Sequence, residues 1–243
     1  MSVHCGPHVS KENLFFCLDF GNPTYDSKEL INDLPFSING GSVTTGTNGY
    51  YTASSNEILF DNRPEFGNIN FTNGWSVIAI TEWSDYAGKS ETYYGVLGTG
   101  NNYTNSSTDR LFNMYWQKNS TGLRVHHSAA AATQNAYSGS HSSYFQSILT
   151  DDQPIMTAYT NALTTHSYYI HGNFINSASV SAPRTTYPSA KDLSIGKPYT
   201  SVGNSYNGKM YMILIYNKPL SAVEHKKIYE IMKPRFNLQS GTL

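Results

Sequence analysis

The sequence carries little charge and contains no basic run. Only 14% of its 243 residues are charged, and the formal net charge is -1 at pH 7. A nucleic-acid-binding protein concentrates lysine and arginine on one face, and the sequence has no such cluster. We therefore expect neither nucleic acid nor another polyanion as a partner.

Long apolar segments are also absent. The longest apolar run, Met210 to Tyr216, is far too short to span a bilayer. The stretch from Met1 to Cys5 lacks a charged region followed by an apolar one, so we expect no secretory signal. These absences predict a protein that neither inserts into a membrane nor carries a signal peptide.

Cysteine is scarce. Cys5 and Cys17 are the only two cysteines, and a single pair does not define a redox compartment. We expect both to be free thiols. Cys17 lies in a predicted core strand, where a thiol is normally inert, and the sequence contains no G-x-S-x-G. Nucleophilic catalysis is therefore not expected.

The acidic and metal-binding patterns of enzymes are missing too. Retaining glycosidases need two carboxylates about 5–5.5 Å apart across the scissile bond. The nearest candidates, Glu82 and Asp85, fall on opposite faces of a continuing strand. His4, Cys5 and His8 form one incomplete cluster in a terminus that contains proline and glycine. We expect a non-enzymatic protein without a zinc site.

Uncharged polar and aromatic residues are abundant by contrast, including 19 tyrosines. They make hydrogen-bonding surfaces of little electrostatic reach, which suit glycans and lateral protein contacts. A sugar site requires exposed aromatic rings beside amides or carboxylates in loops. The candidate residues for such a site are Trp83, Asp85, Tyr86, Tyr103, Tyr144, Asn204 and Tyr206. Trp75 and Trp116 are predicted to lie in the core instead.

Short β-rich runs recur between turn signals, which is typical of a β-sandwich or barrel. Residues 14–20 place apolar side chains on one face, and residues 75–83 begin apolar on both faces, which predicts a central strand. Ser221 and Glu224 form a capping box that predicts one helix, which we expect Pro234 to end. Residues 128–143 are expected to form a long surface loop.

Five segments carry a resemblance to a known family. Residues 168–175 (YYIHGNFI), 193–196 (LSIG) and 206–224 (YNGKMYMILIYNKPLSAVE) resemble, in this order, the last third of laminin G-like and concanavalin A-like domains. Residues 14–23 (LFFCLDFGNP) are similar to the opening of such domains in tailed-phage virion proteins. Residues 233–238 (KPRFNL) are similar to their ending.

The resemblance implies an all-β, concanavalin A-like jelly-roll sandwich of two antiparallel sheets with one short C-terminal helix. A single domain over residues 1–243 is expected, with an N-terminal arm (1–13) and a C-terminal tail (234–243). Residues 14–20 and 210–216, the most apolar strands, are expected to pair centrally.

The family hosts several functions, so the fold leaves the function open. The first expectation is a non-enzymatic virion protein of a tailed phage (capsid decoration, fibre or tail component), made in the host cytoplasm. Its expected partners are other virion proteins, further copies of itself and surface polysaccharide. The alternatives are a lectin-like adhesin and a polysaccharide depolymerase.

No cofactor is expected. Some members of the family carry calcium, and acidic residues are available for it. They are Asp19, Asp61, Asp85 and Asp109. No Asp-rich loop in the sequence supports a calcium site.

Overall fold

Two antiparallel sheets make up most of the fold in a computed structural model of the chain. The model describes twelve stretches, and all structural statements below refer to them. They are residues 9–21, 30–45, 48–54, 57–60, 73–84, 93–100, 110–117, 122–128, 133–137, 152–179, 192–197 and 204–239. None of the helices in these stretches is long and apolar enough to cross a membrane.

The first sheet contains both of the most apolar segments of the sequence, residues 14–20 and 210–216. Its strands are β1 (Leu14–Asp19), β3 (Ser42–Thr44), β4 (Tyr50–Ser54), β6 (Trp75–Trp83), β11 (Pro154–Ala162), β12 (Thr165–Ile170), β13 (Asn173–Ser179) and β16 (Asn207–Tyr216). They are ordered β13-β12-β11-β6-β16-β4-β3, and β1 also pairs with β16. The predicted pairing of the two apolar strands is therefore confirmed, with Leu18 opposite Ile213.

The second sheet faces the first. Its strands are β2 (Ser37–Asn39), β5 (Glu57–Phe60), β7 (Tyr93–Gly100), β8 (Arg110–Gln117), β9 (Gly122–Ser128), β10 (Thr133–Tyr137), β14 (Asp192–Ile195) and β15 (Asn204–Ser205). They are ordered β10-β9-β8-β7-β14-β5-β2, and β15 pairs with β7 in parallel. The predicted two-sheet β-sandwich of jelly-roll type is thus confirmed.

One predicted loop contains a strand. Residues 133–137 form β10, which pairs with β9 through Thr133 opposite Ser128 and Tyr137 opposite Arg124. The expectation of an unbroken loop over 128–143 is therefore wrong. The segment TQNAY lacks the alternation of apolar and polar residues by which a strand is recognised, so its ladder partner defines it instead.

The main core lies between the two sheets. Trp75 from β6 is fully buried, and Trp116 from β8 is 1% exposed, so the prediction that both belong to the core is confirmed. All nine positions of β6 are buried, as expected of a strand between β11 and β16. Its odd-numbered side chains face the second sheet, and its even-numbered ones face outward toward the helix.

A second apolar cluster lies on the outer face of the first sheet, beneath helix α1 (Ala222–Phe236). The helix begins as predicted, because Ser221 and Glu224 cap each other reciprocally. It does not end at Pro234, which lies inside it. A proline in the last turn removes only one interior hydrogen bond. Asn237, in the left-handed conformation, ends the helix by donating its N–H to the Lys233 carbonyl.

The two ends of the domain meet in a buried ion pair, which we call the terminal clasp. Arg235 donates from Nη1 to Asp19 Oδ2 over 2.8 Å and from Nη2 to Oδ1 over 2.6 Å. The Gly21 N–H also donates to Asp19 Oδ1. Asp19 is 1% exposed. The aspartate of LFFCLDFGNP therefore binds the arginine of KPRFNL, so the two end segments form one structural unit.

The cysteine expectation is wrong. Cys17 is disulfide-bonded, and no free cysteine is present in the described part of the chain. The chain's other cysteine, Cys5, lies outside the described residues. Cys17 belongs to the cluster beneath the helix and is fully buried, so its burial in a core strand is confirmed.

Candidate functional site

The best sugar-site candidate of the sequence lies partly in the interior. Trp83 is fully buried at the end of β6, and its ring packs edge-on against Tyr94 at a centroid distance of 5.1 Å. Tyr206 is also fully buried, with its ring centroid 4.6 Å from that of Trp83. The expectation of exposed rings at these two positions is therefore wrong. Strand alternation continues through Trp83 and turns it inward with Trp75.

The remaining candidates stay predictions. Asp85, Tyr86, Tyr103 and Tyr144 lie outside the described residues. Asn204 lies in β15, at the register position opposite Tyr94.

Glu82, the neighbour of Trp83, lies on the opposite face of β6 and is the centre of a polar cluster. It is only 3% exposed. Its Oε2 accepts a hydrogen bond of 2.5 Å from the Tyr211 hydroxyl, and its Oε1 accepts one from Lys209 Nζ. Tyr50 and Asp152 complete the cluster. We call these five residues the bulge site.

An irregularity of the central strand pair gives the site its name. Met210 lies opposite Thr81, and Met212 lies opposite Ile80, so Tyr211 is the extra residue of a β-bulge. Bulges re-aim side chains and are frequent beside functional sites. The chain also approaches closely at Gly208, where a Cβ would lie 1.9 Å from the Glu82 carbonyl oxygen. The sequence NGKMY therefore holds β16 tightly against β6 at the bulge site.

The outer layer of the bulge site is partly exposed. The half-buried Tyr50 ring packs edge-on against Tyr211 at 5.8 Å. Lys209 Nζ lies 5.1 Å from the centre of the Tyr50 ring, and the Lys209 side chain is 31% exposed. Asp152 is exposed, and its N–H donates to the Trp83 carbonyl over 2.9 Å. The Tyr50 ring and the Lys209 side chain are therefore both partly exposed, and the exposed Asp152 is held by its backbone at the end of β6.

The electrostatics of the bulge site fix its protonation. Burial, followed by the hydrogen bond to Glu82, raises the pKa of Tyr211, so its hydroxyl remains a donor. The hydrogen bond to Glu82 is also the main cause that raises the pKa of Lys209. Both donors thus keep their protons around neutral pH, and both Glu82 oxygens stay occupied. The cluster presents preorganised polar groups, a property of binding sites.

None of the five bulge-site residues was among the predicted site residues. Glu82 was considered only as one carboxylate of a catalytic pair and rejected, and the other four were not singled out. The sequence could have identified two of these residues, because Lys209 and Tyr211 put polar groups at alternate positions of an otherwise apolar strand. Tyr50 and Asp152 are far from β16 in the sequence. Only the pairing of the strands brings them close to Lys209 and Tyr211.

A second buried polar cluster attaches the helix to the first sheet. Ser76 and Thr160 hydroxyls are hydrogen-bonded over 2.8 Å, and Thr160 Oγ1 is 2.8 Å from His225 Nε2. The Tyr169 ring stacks on the His225 ring at 3.9 Å. Burial lowers the pKa of His225 to about 3, so this histidine is neutral. The chain of hydrogen bonds is structural in character, because it contains no acidic group.

Metal ligands are not assembled in the described part of the chain. No group of three or more His, Cys, Asp or Glu residues there could hold an ion. Asp19 is engaged by Arg235. The other acidic residues considered for calcium (Asp61, Asp85 and Asp109) and the terminal residues His4, Cys5 and His8 lie outside the described residues.

Comparison with known proteins yields structural neighbours only. No protein-family model matches the sequence, and no curated protein matches it either. The receptor-binding domain of a botulinum neurotoxin C/D mosaic superposes with a TM-score of 0.64 at 12% identity, over 90% of this chain and 51% of that one. The serotype D binding domain gives 0.60 at 13% identity, over 90% and 51%.

A Trypanosoma rangeli sialidase mutant with trans-sialidase activity superposes with a TM-score of 0.63 at 14% identity, over 97% of this chain and 35% of that one. The chain therefore spans about half of the neurotoxin domains and about a third of the sialidase. At these identities the likeness establishes the fold alone, a β-sandwich.

Proposed function

We propose that this protein is a non-catalytic carbohydrate-binding module and that the bulge site contacts the sugar. The observation that carries the proposal is the partly exposed Tyr50 ring, which has the Lys209 ammonium group over it. A sugar ring packs its C–H face on an aromatic ring while its hydroxyls bond to neighbouring polar groups. Lys209 supplies donors for those hydroxyls, and Asp152 supplies acceptors.

The state of Glu82 favours binding over hydrolysis. A general acid must be able to donate its proton to the glycosidic oxygen. Glu82 is buried, and both its oxygens already accept hydrogen bonds from this chain's own Lys209 and Tyr211. Its role in the proposal is to hold these two donors in place. A depolymerase remains the alternative, and release of reducing sugar from capsular polysaccharide would establish it.

The structural neighbours lend the proposal limited support. One is named as a receptor-binding domain, and another is named as a sialidase. The first name describes binding of a receptor, and the second describes an enzyme that acts on a sugar.

A glycan array tests the proposal. The purified, fluorescently labelled protein is applied to a broad bacterial array, and we expect selective, saturable binding. Tyr50→Ala should then weaken binding about tenfold or more, while Tyr50→Phe keeps the ring and most of the affinity. A blank array with folded protein would overturn the proposal.

Charge removal supplies a matched control. Lys209→Gln should weaken binding, whereas Lys227→Gln removes the same charge from the exposed surface of α1 and should leave it unchanged. Trp83 is not a suitable probe, because its ring is interior and its removal would destabilise the sandwich. Equal affinities for Lys209→Gln and the unmodified protein would remove the bulge site from the proposal.

We further propose that the module is carried on the virion of a tailed phage as an oligomeric component. The supporting observation is that the two phage-like end segments interact through the terminal clasp. Mass spectrometry of purified particles tests this location. Absence of the protein from the particles would refute it without affecting the sugar-binding proposal.

A further inference from the structure

Lys209 supplies the positive charge of the bulge site, and its ammonium group is already paired. Nζ donates a hydrogen bond to Glu82 Oε1, and the two groups form an ion pair. Lys209 lies directly opposite Glu82 in the register of β16 and β6, so the pairing of the strands brings the two side chains together. An ammonium group has three donors, and Glu82 accepts one of them. The pair therefore offers donors to a ligand but no net charge.

The paired ammonium group lies where the proposed sugar would bind. Lys209 Nζ is 5.1 Å from the centre of the Tyr50 ring, and the Lys209 side chain is 31% exposed. Charges interact over about 8 Å at physiological ionic strength. A sugar that contacts the Tyr50 ring is therefore exposed to the charges around Nζ, and these charges decide which sugars the site accepts.

Asp152 adds a second carboxylate to the bulge site. Its side chain is exposed, and its N–H donates to the Trp83 carbonyl at the end of β6. The pKa of Lys209 is raised first by its hydrogen bond to Glu82 and that of Tyr211 first by burial, and the charge of Asp152 contributes to both. The negative charge of Asp152 thus acts on the interior of the site. With two carboxylates and one ammonium group, the bulge site has a net negative charge.

The terminal clasp, which adjoins the bulge site, adds no net charge. The Phe236 ring of α1 lies 5.5 Å from the Tyr211 ring. The preceding residue, Arg235, donates two hydrogen bonds to the Asp19 carboxylate. The clasp is therefore neutral as a pair and leaves the net negative charge of the bulge site in place.

We propose that the bulge site selects uncharged sugars and excludes acidic ones, and that Glu82 sets this selectivity by neutralising Lys209. The inference rests on the proposed function and names the class of sugar that the same site takes. A hydroxyl of an uncharged sugar accepts a hydrogen bond from Lys209 or donates one to Asp152. An acidic sugar has to bring its own carboxylate beside a net negative site, and like charges brought together oppose binding. Glu82 is a positioning residue, because it acts through Lys209.

Glu82→Gln is expected to change the selectivity. The amide has almost the same shape as the carboxylate, its oxygen accepts from Lys209, and its amino group donates to the Tyr211 oxygen. The charge of Lys209 is then no longer compensated and attracts an acidic sugar. We expect the ratio of acidic to uncharged glycans bound to rise about tenfold.

The broad bacterial glycan array, with glucose and glucuronate oligosaccharides of equal length and linkage added to it, measures this ratio. We expect the unmodified protein to bind uncharged glycans and to leave the glucuronate series empty. Glu82→Gln should gain acidic glycans, and sodium chloride should weaken that gain. Glu230→Gln is the matched control, since it removes the same charge from a side chain of α1 that is 56% exposed and should leave the ratio unchanged.

Asp152→Asn supplies a second variant, whose exposed position spares the fold if Glu82→Gln does not fold. It should raise the same ratio about threefold, because it removes the more distant carboxylate. Equal binding of acidic and uncharged glycans by the unmodified protein, or an unchanged ratio in the folded variants, would overturn this inference alone. A blank array would remove the proposed function and the inference with it, so the two failures are distinguishable.

Discussion

The bulge site and the cluster of His171, Lys226, Tyr229 and Lys233, which we call the helix site, lie on the same outer face of the first sheet. Their polar groups are arranged in opposite ways. In the bulge site a carboxylate accepts hydrogen bonds from two donors. In the helix site two ammonium groups lie over one ring, next to a buried histidine whose Nδ1 has no hydrogen-bond partner in the described part of the chain. The carboxylate of the first cluster is held by donors of this chain, whereas burial lowers the pKa of the histidine in the second.

Between them, helix α1 is fastened to the sheet at both ends. The chain of hydrogen bonds from Ser76 through Thr160 to His225 anchors its beginning, and the terminal clasp anchors its end. The clasp adjoins the bulge site, since the Phe236 and Tyr211 rings are 5.5 Å apart. A change at either anchor therefore tests how far each site depends on the helix.

Breaking the terminal clasp should have the largest effect. Arg235→Ala leaves the buried Asp19 carboxylate without its partner, which typically costs about 3–5 kcal/mol of unfolding free energy. Urea denaturation measures the loss. The double variant Asp19→Asn/Arg235→Ala should recover part of it, because no buried charge is then left unpaired. A loss below about 1 kcal/mol in Arg235→Ala would contradict the buried pair.

The second-largest effect is expected from acid, which should destabilise the helix side of the molecule. The pKa of His225 is lowered to about 3 and that of His171 to about 4, in both cases mainly by burial. Both are below the unfolded value, so the unfolded chain binds more protons. Stability is therefore complete above about pH 6.5 and falls as the pH drops toward the folded values, by about 2 kcal/mol for each histidine at pH 5.

The bulge site should behave in the opposite sense. The pKa values of Lys209 and Tyr211 are raised in the folded protein. Their contribution to stability is therefore complete below the pKa values of the unfolded chain and is lost only in strong alkali. Denaturation of His225→Asn and His171→Asn between pH 5 and 8 separates the two regions. If both variants lost unfolding free energy in acid as steeply as the unmodified protein, groups other than these histidines would cause the loss.

The sequence predicted the sheets better than the sites, for a physical reason. Alternation of apolar residues is local, and it correctly identified β1, β6 and β16 and the pairing of β1 with β16. The capping box likewise marked the start of α1. The prediction of an exposed Trp83 ring was wrong, because its neighbours Ser84 and Asp85 suggested a loop. Strand alternation instead places the ring in the core.

The sites depend on contacts that no local pattern encodes. Lys209 lies directly opposite Glu82 in the register of β16 and β6, and Tyr211 is the extra residue of the bulge that follows. The turn that carries His171 meets the helix at Lys226 through Gly172. Both contacts join residues more than fifty positions apart. Composition and spacing therefore predict the strands but not the contacts between their side chains.

Removal of one hydroxyl tests the balance within the bulge site. Tyr211→Phe keeps the ring that packs on Tyr50 and Phe236 but leaves Glu82 Oε2 without a donor. Because hydrogen bonds to charged groups contribute about 1.5–3 kcal/mol, a loss of this size in unfolding free energy is expected. Tyr229→Phe is a matched control, since its hydroxyl donates to the neutral Gln239 carbonyl and should cost less. Equal losses would contradict a special role for Glu82.

The smallest expected effect is the influence of the helix-site lysine charges on the pKa of His171. Lys226→Gln removes one of the two ammonium groups that oppose protonation of His171, so the pKa of His171 should rise by about half a unit, equivalent to about 0.7 kcal/mol. Lys209→Gln removes the same charge at the bulge site and should leave that pKa unchanged. Titration of the His171 resonance in the two variants measures both. If both variants shifted it equally, the charge near His171 would come from the whole surface and not from the helix site, and the contrast between the two regions would fail.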